Sequence, residues 1–150
     1  ILRGLVGSEM CIRDSYIHGE AEDLLPEKKE QFDVVTCLEA IEHVPDPQQL
    51  VKTCSELCKP GGTIVFSTIN RNPKSFLFAI IGAEYILNLL PKGTHEFKKF
   101  LKPSELSNMM RNSNLEVKEI IGMSYNPLTK KYWLGKDVDV NYMIHAEKSK

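Results

Sequence analysis

At 150 residues the chain is long enough for one domain with a buried core. Its 19 basic and 20 acidic side chains leave a net charge of −1, without the basic excess that nucleic-acid binding requires. With 42% hydrophobic and 26% charged residues it has the composition of an ordinary globular domain, and no apolar span of about 18 residues is free of polar groups, so no transmembrane helix is predicted.

Four cysteines, Cys11, Cys37, Cys54 and Cys58, form no C-x-x-C pair and match no metal framework. Cys54 and Cys58 lie four apart on a predicted helix and are expected to line one buried face, which points to a reducing compartment.

Residues 1–15, ILRGLVGSEMCIRDS, show no periodicity and are set aside as a leader foreign to the fold. No signal-peptide pattern is evident, and the chain opens on Ile1, so a fragment is expected, with one domain over 16–150. Tyr16 to His18 read as the end of a short strand, followed by a polar helical turn with Glu20, Glu22 and Asp23 near its start. Phe32 to Cys37 is an apolar, β-branched run with the length of a buried parallel strand. Glu39, Glu42 and His43 follow at once. In an open α/β sheet, ligands sit outside the carboxyl ends of the strands, so these three groups occupy the place where a site is expected.

Asp46 as N-cap and Pro47 at the first helical position start a helix running to about Cys58. Leu50, Val51, Cys54, Leu57 and Cys58 fall on its inner face. Lys59-Pro60-Gly61-Gly62 turns the chain into a second strand, Thr63 to Thr68. Strand, helix, turn and strand make one βαβ unit with parallel strands and a right-handed crossover. A polar loop, Ile69 to Pro73, then leads into a strongly apolar helix over 75–90, inside an insert spanning 73–102. Beyond it come a basic aromatic stretch from Glu96 to Lys102 and a helix from Pro103 to about Ser113, with Leu106, Met109 and Met110 facing in. Leu115 to Ile121 alternates as a strand, Tyr125 to Leu128 reads as a turn, and Lys130 to Gly135 as an edge excursion. Val138 to Ala146 is a final strand. The fold class expected is α/β, closed by an antiparallel edge.

Three polar groups within five residues allow specific chemistry. If a helical turn begins at Glu39, the i, i+3 and i, i+4 spacings put Glu39, Glu42 and His43 on one side, and two hard oxygens with an imidazole suit Mg²⁺. Helix capping beside an ordinary surface histidine is the competing reading. His95 follows Gly93-Thr94 over the expected site mouth and reads either as a base or substrate-orienting group or as a packed or solvated lid residue. Asn70 and Arg71 read as contacts to a substrate oxygen or a carboxylate, or as a plain polar loop. The 75–90 helix is apolar around most of its circumference and is flanked by lysines at 74, 92, 98, 99 and 102. It suits either a core helix or one lying in the headgroup boundary against anionic lipid.

The stretches FDVVTCLEAIEHVPDP, KPGGTIVFSTINRN, GAEYILNLLPKGTHEFKKFLKPSEL and GMSYNPLTKKYWLGKDVDVNYMIHAEK resemble the ubiquinone-biosynthesis O-methyltransferase family, from about Phe32 to His145. The strand with its KPGG turn is common to methyltransferases in general; PKGTHEFKKF and DVDVNYM are specific to this family. The resemblance implies a class I, Rossmann-like methyltransferase sheet truncated at its amino terminus, with S-adenosylmethionine as cofactor and a polyprenylated phenol as acceptor. It implies a divalent ion, Mg²⁺, at Glu39, Glu42 and His43; Glu42 and His95 are the catalytic candidates on their chemistry and position. Leu38 would lie against the cofactor, and Ala21 and Glu22 on its adenine side. It further implies a peripheral position on the bacterial inner membrane or the mitochondrial inner membrane, contact through 75–102, and other ubiquinone-biosynthesis proteins as partners. The class carries a Gly-rich loop after its first strand and an acidic residue after its second. Neither occurs here, so the chain alone is expected to bind cofactor poorly and to be inactive. Two other readings stand beside this one: a methyltransferase for another phenol or small acceptor, and a non-catalytic membrane-surface module.

Overall fold

A computed structural model describes residues 16–76, 97–126 and 129–150. The helix expected over 75–90 and His95 fall almost wholly outside them.

The 3-10 turn Ala21–Leu24 and helix α1 (Leu25–Lys28) precede strand β1 (Phe32–Leu38). A second 3-10 turn, Ile41–His43, leads to α2 (Pro47–Leu57), β2 (Cys58–Ile69) and the short α3 (Pro73–Ser75). The 3-10 turn Phe97–Lys99, α4 (Pro103–Arg111), β3 (Leu115–Asn126), β4 (Lys131–Gly135) and β5 (Asn141–Lys148) complete the chain. The five strands form one sheet in the order β1-β2-β5-β3-β4.

Helix α2 begins where its local chemistry says it must. The Asp46 carboxylate accepts from the backbone N–H of Gln49 at 3.0 Å, and Pro47, which has no N–H to strand, fills the first turn. Its inner face buries Val51 and Cys54 in one core with Ile64, Phe66, Tyr142 and Ile144 of the sheet and Leu106 and Met110 of α4, and Leu57 is buried as well. Gln48 ties α2 to the α4–β3 junction by donating to Met109 O and Ser113 Oγ, and Ser55 Oγ donates to Ser113 O at 2.6 Å. Cys37, Cys54 and Cys58 are all free thiols.

β1 and β2 pair in parallel, as the βαβ reading requires. The KPGG turn, however, is taken into β2 as a bulge. Phe32 pairs with Cys58 and Val34 with Thr63, so the residues between are pushed out of register, and Gly61 accommodates a φ of +77° that a side chain would resist. The strand expected at 16–18 is not formed. Tyr16 and Ile17 are exposed, and among the described residues no strand pairs with them.

The antiparallel finish is present, but in an order the chain does not follow. β5, the last strand, lies between β2 and β3, antiparallel to both, and β4 forms the outer edge by pairing with β3 alone. Alternation along β3 is broken by a register shift between Val117 and Glu119, which leaves Ile120 exposed. Gly122 allows the link into β5 to cross it: a Cβ there would stand 1.7 Å from Asp137 O.

The ends of the insert are pinned together. Phe76 meets Phe97 edge-on at 5.4 Å, Phe97 meets the buried Phe100 at 5.8 Å, and Leu101 N–H donates to Ile69 O.

Candidate active site

The chain leaves β1 through a conformation few side chains adopt. Glu39 has φ 52°, in the left-handed region, and it is held there from two strands. Its N–H continues the parallel ladder to Ser67 O at 3.1 Å and also reaches Ser67 Oγ at 3.2 Å. Ser67 Oγ–H in turn donates to Glu39 Oε1 at 2.7 Å, and Asn141 Nδ2 donates to the same oxygen at 3.1 Å.

The kink swings the Ile41–His43 turn back over the strand ends, burying Ile41 and Glu42. Glu42 Oε2 accepts from Thr68 Oγ1 at 2.7 Å. Its other oxygen, Oε1, is buried without a hydrogen bond among the described residues, as is Asn141 Oδ1. An unpartnered buried carboxylate oxygen costs free energy unless something arrives to meet it. The imidazole of His43, half exposed, stands with Nε2 3.9 Å from Glu42 Oε1.

The structure lends the expected ion site no support. Among the described residues no group of three or more His, Cys, Asp or Glu side chains is arranged to hold a metal ion. The 3-10 turn begins at Ile41 and not at Glu39, so the helical spacing that would align the three side chains is not formed, and Glu39 Oε1 already serves Ser67 and Asn141. Glu42 and His43 remain as two donors that suit a cation.

A groove of about 440 Å³ runs along β1 beside this tip, lined chiefly by apolar side chains. Ala21, Leu38 and Ala40 all border it, so two of the three residues expected near the cofactor are brought together. Glu22 is not: its Oε1 accepts from Thr53 Oγ1 on α2 at 3.1 Å. Leu38 is 50% exposed and Val34 57%, leaving an apolar wall open to a flat, partly apolar ligand. Burial raises the thiol of Cys37, at the groove wall, to about 11, with the Glu42 carboxylate adding to the effect, so it stands neutral at physiological pH.

Asn70 and Arg71 serve the scaffold. Asn70 Nδ2 donates to Val138 O at 2.9 Å, and Arg71 forms an ion pair with Glu105 at the start of α4. Sequence reasoning passed over Ser67, Thr68 and Asn141, the partners that fix the two carboxylates. Their signal was polar residues at the ends of otherwise apolar strands.

A parallel pair joined by a helix, with antiparallel strands beyond it, is an arrangement found in the S-adenosylmethionine-dependent methyltransferase class of α/β folds, and the family model and solved neighbours place the chain in that class. The likeness extends to solved structures. A methyltransferase from Thermotoga maritima, described as a possible histamine N-methyltransferase, matches with a TM-score of 0.63 at 26% identity, over 87% of this chain and 62% of that one. A methyltransferase from Bacillus halodurans shares the fold at a TM-score of 0.58 and 15% identity, over 90% of this chain and 78% of that one. Residues 5–120 match the family model for a methyltransferase domain, and the chain belongs to that family. It is similar to proteins named ubiquinone biosynthesis O-methyltransferase: 59% identical to that of Marinobacter nauticus over 144 residues, 95% of this chain and 60% of the relative. To that of Pseudomonas syringae pv. tomato it is 66% identical over 126 residues, 84% of this chain and 54% of the relative. The chain thus spans a little over half the length of these relatives.

Proposed function

We propose that this chain supplies the acceptor side of an S-adenosylmethionine-dependent O-methyltransferase that acts on polyprenylated hydroxybenzene intermediates of ubiquinone biosynthesis. The observation that carries the reading is the buried Oε1 of Glu42 near the tip of β1, without a hydrogen bond among the described residues, beside the groove that Leu38 and Ala40 border. The relatives' names point to the same chemistry.

Methylating a phenol requires its hydroxyl to be oriented and to lose its proton as the oxygen attacks. Glu42 Oε1 is free to accept that hydroxyl's hydrogen bond and then its proton, while Thr68 holds Oε2 in place. Glu39, fixed by Ser67 and Asn141, holds the exit of β1 in place, so that the turn carrying Glu42 keeps its position at the strand end. Ala21, Leu38 and Ala40 would hold the cofactor, which when bound supplies an electrophilic methyl group. The proposal keeps a divalent cation as the alternative to Glu42 acting as base, with Glu42 and His43 among its ligands and the ion supplying the acidification of the hydroxyl. His95 belongs to it as a base or orienting group. An acceptor carried in the bilayer brings the protein to the membrane surface, and the exposed Lys98 and Lys102, beside the pinned neck of the insert, support contact there.

The experiment is cofactor titration by calorimetry, on this chain and on a protein of the relatives' full length. Saturable binding by the longer protein, weakened by Leu38→Asp, supports the reading. No binding by either, or binding indifferent to Leu38, rejects it.

A further inference from the structure

The edge opposite the candidate site is dressed for a different contact. β4 pairs on one side only, with β3, and exposes side chains of both its faces: Tyr132 is 67% exposed, Trp133 51% and Leu134 58%. Tyr125 stacks on Tyr132 with ring centroids 4.5 Å apart. Left in water, an apolar edge strand invites association. Tyrosine and tryptophan, with apolar bodies and polar tips, are the side chains that settle at the headgroup level of a bilayer. Lys131 and Lys136 bracket the strand, and among the described residues neither joins an ion pair. The carboxylates closest in sequence, Asp137 and Asp139, are both taken by Lys74 at 2.9 and 3.0 Å.

We propose that the β3–β4 hairpin is a membrane-surface contact, lowering its edge aromatics into the interface of an anionic phospholipid bilayer while Lys131 and Lys136 meet the headgroups. Exposure on both faces favours a lipid phase over a second copy. A second strand would cover the backbone edge and leave the rings in water. An antiparallel pair of copies centred on Trp133 would also set Lys130 against Lys136. The inference stands apart from membrane contact through 75–102, because it concerns residues outside that segment.

Trp133 is the chain's only tryptophan, so its fluorescence reads this hairpin and nothing else. The full 150-residue chain is titrated with vesicles of phosphatidylcholine, with and without phosphatidylglycerol, following emission, acrylamide quenching and co-sedimentation. The expected result is a shift of emission to shorter wavelength and protection from acrylamide on vesicles containing phosphatidylglycerol. Replacing both Lys131 and Lys136 by Gln should raise the lipid needed for half the response by about thirtyfold, taking each lysine's attraction to an anionic surface together, with the circular dichroism of the variant unchanged. Failure to sediment overturns the proposal. So does sedimentation with unaltered Trp133 emission and quenching, which places the contact elsewhere, or an equal response to neutral vesicles. A blue shift without vesicles that grows with protein concentration assigns the edge to a second copy and overturns it as well.

Discussion

The Asn141 side-chain amide donates to Glu39 Oε1 at 3.1 Å, joining the first residue of β5 to the residue that follows β1 across 102 positions of sequence. The last strand of the sheet thereby helps to hold the first strand's exit in its left-handed conformation. Asn141→Ala removes a hydrogen bond to a carboxylate and should cost about 1–3 kcal/mol, seen as a lower urea midpoint with an unchanged slope. Asn141→Asp should cost more at neutral pH, because it sets like charges together, and should recover on acidification. Equal stability of Asn141→Asp and wild type at pH 7 would show that the contact is not made.

Glu42 predicts opposite signs for stability and function. Its Oε1 is buried without a partner, so the neutral Glu42→Gln, which can still accept from Thr68, should leave the unfolding midpoint unchanged or raise it. Thr68→Val, which strips the remaining bond, should lower it by about 1–3 kcal/mol. Thermal unfolding of the two variants side by side checks the pair. A Gln variant less stable than the Val variant would mean that Oε1 is satisfied after all.

Alkaline pH should unfold the protein through its buried thiols. Burial raises Cys37 from 9.0 to about 11, and burial with neighbouring Cys37 and Glu22 raises Cys54 from 9.0 to about 12. Below pH 9 both thiols are neutral in the folded and unfolded chains, and their contribution to stability is intact. Above it the unfolded chain ionises while the buried thiols do not, so stability falls from about pH 9 until the folded thiols ionise at about 11 and 12. Tyr142, also raised by burial, acts in the same direction. Denaturant midpoints measured from pH 7 to 11 should fall less steeply in Cys37→Ala than in wild type. Parallel pH profiles would contradict this.

Gly122 is the residue the sheet's rearranged order depends on. A methyl group there would meet Asp137 O at 1.7 Å, a backbone atom that cannot move aside without dislodging the link into β5. Gly122→Ala should cost about 3 kcal/mol or more, read as a collapse of the denaturant midpoint. Gly135→Ala, whose Cβ would meet only a Trp133 side-chain atom at 4.0 Å, should be nearly neutral.

What the sequence disclosed is what local chemistry decides. Asp46, Pro47 and the spacing of Val51, Cys54 and Leu57 fix α2 within a single stretch of chain, and the structure forms it there. The parallel β1–β2 pair follows from the same βαβ logic. The position of β5 between β2 and β3 depends on pairings between distant segments, which no local pattern encodes. The site divides in the same way. Glu39, Glu42 and His43 were visible as a cluster, but the helical turn that would align them is not formed, because Glu39 leaves the strand in the left-handed region. Ser67 and Asn141 lie 28 and 102 residues from the carboxylate they hold, and only the folded sheet brings them to it.

The account rests on Glu42 acting on the acceptor hydroxyl. In a protein of the relatives' full length, methyl transfer to a catechol-type acceptor is measured for wild type and Glu42→Gln alongside calorimetric cofactor affinity. The account predicts a rate lower by about 10²- to 10⁴-fold, the range supplied by a positioned base, with cofactor affinity unchanged. Full turnover by Glu42→Gln would contradict it.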